Sequence, residues 1–226
     1  MKFKANYIFD FFLPRICPGC NIKISDHNEP VCADCLNSIQ IAESDRINFE
    51  FKKNFNSSKV IKDFHSKYIF ETDKTLQHII HALKYNRQFK LGFFLGQVLG
   101  EEILSKNWGI DLIVPVPIHH LRKAERGYNQ TDYIAKGLSS LLNIPYSAKL
   151  LKRTRHTESQ TKLNMNERAQ NVSNAFKVKN SKKIKDKNIL IVDDICTTGA
   201  TILECGIVLY KSGANSIYAS SIAIAA

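Results

Sequence analysis

The chain has 226 residues and a mass of 25.7 kDa, which is enough for one large domain and a small additional module. Hydrophobic residues make up 44% and charged residues 23% of it, a composition typical of a soluble globular protein that buries a core. This excludes disorder and low complexity as descriptions of the whole chain. No apolar run approaches the roughly 20 residues that a membrane-spanning helix needs.

The net charge is +11, and most of it comes from one part of the chain. The basic segment Lys149–Lys187 contains twelve basic and three acidic residues, whereas residues 1–60 contain eight basic and seven acidic ones. A positive segment of this kind attracts polyanions such as nucleic acid, an anionic membrane or a multiply phosphorylated small molecule. A solvated surface without a ligand is the alternative, and it is favoured for Lys177–Lys187 taken alone.

The first 13 residues carry apolar side chains at helical spacing, and Pro14 ends the pattern. The members of this stripe are Phe3, Tyr7, Ile8, Phe11 and Phe12. Such a stripe most often packs on the main domain, and an interfacial helix on a membrane is the alternative. Because the stretch lacks the features of a secretory signal, we expect a cytoplasmic protein. The apolar stripe is also compatible with peripheral contact between the protein and the inner face of the cytoplasmic membrane.

Strands and helices alternate from residue 60 onwards. The pattern predicts strands within Val60–Phe70 and at Leu112–Val116, Ile189–Val192 and Ser216–Ile224, and helices over 76–83, Phe89–Lys106, 129–142 and Ala200–Lys211. Continuous apolar strands separated by helices indicate a parallel α/β sheet that is covered on both faces.

Two stretches of the pattern need separate comment. Gly92, Gly96 and Gly100 lie at four-residue spacing in the second helix. In a membrane this spacing favours helix dimerisation, but here we interpret it as a close approach to a neighbouring element. Residues 37–58 are polar and weakly patterned, and the alternation in Ile47–Phe51 hints at a hairpin.

Four cysteines form two pairs near the N-terminus, Cys17-Pro-Gly-Cys20 and Cys32-Ala-Asp-Cys35. Two thiolates separated by two residues on a turn can face one tetrahedral ion, and the second pair completes four ligands. The spacing therefore predicts one structural Zn²⁺ site with no open coordination position. Redox-active pairs or disulfides are the alternatives. They are disfavoured because redox pairs usually open a helix after a strand, and neither pair is predicted to do so.

A second motif follows the predicted strand Ile189–Val192, where Asp193 and Asp194 precede a turn that enters the next helix. Ligands of open α/β sheets bind at the carboxyl ends of the strands. The phosphate loop, as we define it, consists of Thr197, Thr198, Gly199, Ala200 and Thr201. Its backbone N–H groups and hydroxyls form a cradle for an anion, and Gly199 is expected to let a phosphate approach the backbone. The carboxylates are expected to accept hydrogen bonds from vicinal hydroxyls of a phosphorylated sugar.

The segment Ile189–Thr201 resembles the signature of type I phosphoribosyltransferases, which bind phosphoribosyl pyrophosphate (PRPP) with Mg²⁺. Three further motifs make the resemblance more specific: the cysteine pairs, Val114–Gln130 and Arg155–Phe176. In combination they are similar to the ComF-type competence proteins, from about Cys17 to Ile224, and only residues 37–70 depart visibly.

The resemblance implies an α/β fold, with a type I phosphoribosyltransferase-like parallel sheet flanked by helices and a small N-terminal zinc ribbon with four cysteine ligands. It predicts three parts. Residues 1–40 hold the N-terminal helix and zinc module, residues 41–70 form connecting strands, and residues 71–226 form the phosphoribosyltransferase-like domain.

The resemblance also implies roles for individual residues. The loop Pro115–Arg126 would bind pyrophosphate through Pro117, Arg122 and Arg126, and arginine can do so bidentately. The stretch Arg153–Arg168 would be a mobile loop that closes over PRPP, with Arg155 at the leaving group. Arg155, Asp193 and Asp194 are the expected catalytic residues. His119 and His120 are expected to be structural, because adjacent residues rarely face one ion.

The resemblance implies one of two functions. In the first, a PRPP-binding protein acts in natural competence and handles incoming single-stranded DNA at or near the cytoplasmic membrane, with DNA-uptake or recombination proteins as partners. In the second, an enzyme joins PRPP to a nitrogen acceptor with release of pyrophosphate, and nothing in the sequence identifies the acceptor. The charge of the basic segment favours the first, because one PRPP does not require twelve cations.

The expected DNA surface lies on the basic segment. Its predicted contacts are Lys149, Lys152, Arg153, Arg155, Lys162 and Arg168. Few aromatic residues are interleaved with these charges, so we expect little base stacking and a low sequence preference. Residues 1–60 are nearly neutral and are not expected to contribute to DNA binding.

Overall fold

A computed structural model describes residues 14–24, 29–72, 74–155 and 173–226. Its strands are β1 (Ile61–Phe70), β2 (Leu112–Pro115), β3 (Leu151–Arg153), β4 (Phe176–Val178), β5 (Asn188–Cys196) and β6 (Ser216–Ala225). Its helices are α1 (Ala33–Asn37), α2 (Ser44–Asn54), α3 (Thr75–Tyr85), α4 (Phe89–Leu104), α5 (His120–Arg126), α6 (Gln130–Leu142) and α7 (Ala200–Lys211), with a 3-10 turn at Ser181–Lys183.

Four strands form a parallel sheet in the order β1-β6-β5-β2. Alternate residues of β5 belong to two different buried clusters. Ile189 and Ile191 pack with residues of α2 and α7, whereas Leu190 and Val192 pack with residues of α3, α4 and α6. Because helices cover both faces, the central strands are apolar on both sides. The predicted parallel sheet flanked by helices is confirmed.

The glycines of α4 allow it to lie directly against α6. A Cβ added to Gly96 would lie 2.1 Å from the carbonyl oxygen of Ile134, and one added to Gly137 would lie 2.0 Å from that of Phe93. Both distances are far shorter than any carbon–oxygen contact allows, so the two backbones touch without intervening side chains. The interpretation of the glycine spacing as a close approach within the fold is confirmed.

Residues 41–70 differ from the expectation. The hairpin predicted at Ile47–Phe51 is wrong, because these residues lie within α2. The buried positions of this helix follow helical spacing: Ile47, Glu50 and Asn54. Because two of the three are polar, the sequence shows no apolar stripe that would predict a helix. A single strand, β1, follows, and it is an edge strand of the main sheet. The division of the chain at residues 40 and 70 stays a prediction.

A short antiparallel ladder between β3 and β4 was not predicted. Lys152 pairs with Lys177 in this ladder, and residues 156–172, which lie between its strands, fall outside the described ranges. The predicted N-terminal helix at residues 3–13 also falls outside them. Among the helices that are described, none is long and apolar enough to cross a membrane.

We predict that Gly96→Ala destabilises the fold much more than Gly100→Ala. The new methyl group of Gly96→Ala meets backbone, which cannot move without separating α4 from α6, and overpacking typically costs about 1–3 kcal/mol. The methyl group of Gly100→Ala meets the flexible end of Leu141 at 2.6 Å, and the higher helix propensity of alanine, about 1 kcal/mol, partly offsets this contact. Urea unfolding of both variants measures the difference. Equal free energies of unfolding would contradict the prediction.

Candidate functional site

The four cysteines of the two pairs lie together. Their sulfur atoms are all within 4.8 Å of one another, and Cys20 Sγ lies 3.7 Å from Cys32 Sγ. Zinc–sulfur bonds of about 2.3 Å at tetrahedral angles place sulfurs about 3.8 Å apart. The cluster can therefore hold a metal ion, and its all-sulfur donor set suits zinc.

The backbone around the cluster also fits a metal site. The backbone N–H of Cys32 donates a hydrogen bond to Cys17 Sγ at 3.4 Å. Burial raises the pKa of the Cys17 thiol, but the backbone N–H groups of Cys32, Cys20 and Gly19 outweigh it and lower that pKa to about 7. A Cβ on Gly19 would lie 2.7 Å from Cys35 Sγ, so the first turn needs glycine to pass the second pair. Donation of N–H groups to Cys17 Sγ stabilises negative charge on that sulfur.

One detail of the cysteine module differs from the expectation. Cys32 directly precedes helix α1 (Ala33–Asn37), so the second pair does open a short helix. The residues before it do not form a strand of the sheet, and the described cysteines are all free thiols. The clustering of all four sulfurs therefore carries the argument for a shared metal.

The phosphate loop connects β5 to α7 as predicted. Gly199 has φ +66° and occupies the N-cap position of α7, and the N–H groups of the first helical turn have no partners within the helix. A Cβ on Gly199 would lie 2.7 Å from the ring of Phe55 and 3.0 Å from Asn54 Cβ. Glycine is thus required by the positive φ and by the packing of the end of α2. We expected glycine at this position because it leaves space for a phosphate, but these contacts are with Phe55 and Asn54 of the protein itself.

Asp193 and Asp194 differ sharply in their surroundings. Lys84 Nζ lies 2.8 Å from Asp194 Oδ2, and Gln130 Nε2 donates to the same oxygen at 3.2 Å. Burial opposes the charge of Asp194, but the ion pair with Lys84 outweighs it and lowers the pKa. Burial and the neighbouring Asp194 carboxylate raise the pKa of Asp193 well above its usual range. The pair therefore combines an ionised carboxylate, Asp194, with a second one, Asp193, whose negative charge a nearby cation or hydroxyl donor would stabilise.

Lys84 was missed by the sequence analysis, although a signal for it exists. It lies four residues after the buried Ile80 and is itself half-buried, and a lysine that is withdrawn from water needs a partner. Only the packing of α3 against β5 identifies that partner as Asp194. Gln130 was recognised within a motif, but its contact with the carboxylate was not foreseen.

Hydrogen bonds fix the start of the loop Pro115–Arg126, which we predicted to bind pyrophosphate. The side chains of Asn129 and Thr131 both donate to the carbonyl oxygen of Val116, at 3.1 and 2.7 Å. Arg126 donates to Gln130 at 3.1 Å, which links the loop to Asp194. His119 is buried and accepts from the N–H of Leu121 at the start of α5, as expected for a structural histidine.

Two further arginines lie towards this site. The guanidinium of Arg153 lies over the Phe176 ring at 5.4 Å. Burial lowers the pKa of Arg153, and the charge of Arg122 lowers it further, while Asp193 raises it. Arg122, Arg153 and Asp193 are therefore close enough to interact electrostatically. Arg153 is half-buried at the end of β3, and its place on the DNA surface stays a prediction.

The remaining predicted site residues are distributed as follows. Pro117 is half-buried in the loop after β2, and Lys149, Lys152 and Arg155 are exposed. Arg155 donates to the carbonyl oxygen of Ser173 at 3.3 Å. Lys162 and Arg168 lie outside the described residues. The carboxylates, the phosphate loop and the loop after β2 thus meet at the carboxyl edge of the sheet.

Comparison with known proteins identifies the family. Residues 133–224 match the model of the phosphoribosyl transferase domain. The chain is 31% identical over 208 residues to Competence protein F of Haemophilus influenzae, a match that covers 89% of this chain and 87% of that protein. The chain belongs to the competence protein F family. The fold class implied by the resemblance is therefore confirmed.

Two further relatives are more distant or match a shorter stretch. DNA utilization protein YhgH of Escherichia coli is 33% identical over 147 residues, which cover 63% of this chain and 64% of that protein. Competence protein ComFC of Streptococcus pneumoniae is 28% identical over 201 residues, which cover 89% of this chain and 77% of that protein.

Proposed function

We propose that this protein binds PRPP, or a closely related sugar phosphate, at the carboxyl end of β5 and acts in natural competence. In that role it handles incoming single-stranded DNA at or near the cytoplasmic membrane, with DNA-uptake or recombination proteins as partners. The names of its relatives refer to competence and to DNA utilization. The observation that carries the proposal is the Asp194 carboxylate, held by Lys84 and Gln130 beside the phosphate loop.

The chemistry of the site suits such a ligand. The phosphate loop would receive the 5′-phosphate, and Asp193 and Asp194 would accept hydrogen bonds from the ribose hydroxyls. Arg122 and Arg126 would neutralise the pyrophosphate. Oxygen ligands are those that Mg²⁺ prefers, so a magnesium ion bound with PRPP would offset the charge of the pyrophosphate. Arg155 would approach the pyrophosphate from the start of residues 156–172.

We predict that PRPP with Mg²⁺ raises the melting temperature of the wild-type protein and that Asp193→Asn with Asp194→Asn abolishes this shift. The isosteric amides keep the volume but remove the charges that face the sugar and the cation. Differential scanning fluorimetry with and without Mg²⁺ measures the effect. Glu43→Gln with Glu101→Gln, which neutralises two exposed carboxylates elsewhere by the same kind of change, is the matched control.

A shift that persists in the double amide variant would mean that PRPP binds somewhere else. Pyrophosphate release is measured in the same samples with a panel of nitrogen nucleophiles. Turnover that depends on one of them would replace the binding role by the transferase activity considered in the sequence analysis.

We also propose that Cys17, Cys20, Cys32 and Cys35 hold one structural Zn²⁺. Elemental analysis is expected to give about one zinc per chain. Cys32→Ser should lose most of the metal and give poorly soluble protein, because three thiolates hold zinc more weakly and the module is part of the buried core that it shares with α3 and α4. Cys205→Ala changes a cysteine outside the cluster and should keep the metal. Metal-free wild-type protein of equal stability would contradict the site.

The DNA-binding part of the proposal depends on counterion release, and the predicted contacts are Lys149, Lys152, Arg153, Arg155, Lys162 and Arg168. We predict that the affinity for a labelled oligo(dT) falls steeply with salt, with a log–log slope of about −0.7 for each phosphate neutralised. Four or five engaged cations would give a slope of about −3. Fluorescence anisotropy over a salt series measures it. Wild-type protein that does not bind, or binds with a salt-independent affinity, would overturn DNA handling.

A further inference from the structure

A groove of about 780 Å³ lies between the cysteine module and helices α4 and α6. It shares no lining residue with the phosphate loop. The module contributes Arg15, Glu29 and their neighbours to one wall, and the helices contribute the other. Neither the sequence motifs nor the proposed PRPP site uses this groove.

The charges that line the groove are almost all positive. Arg15, Arg87, Lys90 and Lys136 line it, and Glu29 is the one carboxylate among its described lining residues. Arg87, Lys90 and Lys136 are exposed. Four cations against one anion in a concave surface attract a polyanion, because the low-dielectric walls focus the field.

Aromatic rings lie between these cations. Phe89 is 38% exposed, and its ring stacks on Tyr133 with centroids 4.7 Å apart and an interplanar angle of 25°. Tyr128 meets the same ring edge-on at 4.8 Å, and its hydroxyl donates to the carbonyl oxygen of Leu83. The Phe89 ring is thus held in place from behind while part of it stays open to the groove.

The groove continues towards the proposed PRPP site. A Cβ on Gly127 would lie 3.4 Å from Nε and Nη2 of Arg87, so this arginine bridges the groove and the end of the loop after β2. Next to it, the guanidinium of Arg126 lies over the ring of Tyr85 at 5.2 Å. Arg87 therefore links the groove to a second pair of cation and aromatic ring, Arg126 and Tyr85.

We propose that this groove binds single-stranded DNA, with Arg87, Lys90 and Lys136 on the phosphates and Phe89 stacked on a base. Cations combined with exposed aromatic faces are typical of sites for single strands, whose bases are free to stack, and stacking contributes about 1–3 kcal/mol per base. A duplex offers no free base faces to Phe89. The assignment to DNA rests on the proposed function, but the surface differs from the basic segment that the sequence predicts.

The test compares three charge-reversal variants with the wild type by fluorescence anisotropy on labelled oligo(dT). The groove variant is Lys90→Glu with Lys136→Glu, and the basic-segment variant is Lys149→Glu with Lys152→Glu. The control is Lys62→Glu with Lys211→Glu, which makes the same change at exposed positions outside both surfaces. We expect the groove variant to bind at least tenfold more weakly and its salt slope to be shallower by about 1.4, since two phosphate contacts are lost.

Phe89→Leu tests stacking separately, because leucine keeps the apolar packing on Tyr133 but presents no ring face. We expect Phe89→Leu to weaken binding about tenfold without altering the salt slope. A purely structural role for Phe89 would not give this combination. Circular dichroism melting accompanies each variant.

Each other outcome overturns the groove assignment. If the groove variant binds like the control while the basic-segment variant is weakened, DNA handling stands but the groove is not its surface. If the groove variants have a lower melting temperature but bind oligo(dT) normally, the groove residues stabilise the fold by contacts within this chain. If single-stranded RNA of equal length binds more tightly than DNA, the partner is RNA. If the wild type binds no oligonucleotide, the failure lies in the proposed function itself.

Discussion

The site depends on one buried charge, the carboxylate of Asp194 at the end of β5. A buried carboxylate that loses its partner is strongly destabilising, so the fold has to bring a cation to it. Lys84, from the last turn of α3, supplies that cation at 2.8 Å, and Gln130, from the first turn of α6, adds a hydrogen bond. Because Gln130 also accepts from Arg126, the loop after β2 is tied to the same carboxylate. Three segments that are far apart in sequence therefore meet at one oxygen atom.

The phosphate loop is fixed from its other side by residues that no motif identified. The end of α2 places Phe55 and Asn54 against Gly199. In the same helix Glu50 is buried and pairs with Arg46 at 3.1 Å, while Arg46 also donates to the carbonyl oxygen of Ala225 at the end of β6. Helix α2 thus connects the loop to the carboxyl end of β6. A preorganised loop loses less conformational entropy when it binds an anion.

What the sequence predicted well depended on short-range patterns. Each apolar strand, each cysteine pair and the Asp193–Thr201 motif is recognisable within a short stretch of the chain. What it missed depended on packing. Helix α2 was obscured because its buried face contains Glu50 and Asn54, and β3 and β4 are too short to show a period. The role of Lys84 could not be predicted because its partner lies more than a hundred residues away.

The groove gives a physical reason for the cysteine module to remain attached to this domain. The charges of the first 60 residues nearly cancel, so composition alone assigns the module no attraction for nucleic acid. Charge acts locally, however, and Arg15 faces a groove whose other cations come from α4, α6 and the segment between α3 and α4.

Because the module forms one wall, a change in the cysteine cluster would disturb the groove even if no DNA phosphate touched the module. Weaker DNA binding in a cysteine variant therefore cannot by itself assign a DNA contact to the module. Changes on the helical wall, at Lys90 and Lys136 and at Phe89, are the ones that separate direct contact with DNA from support of the groove's shape.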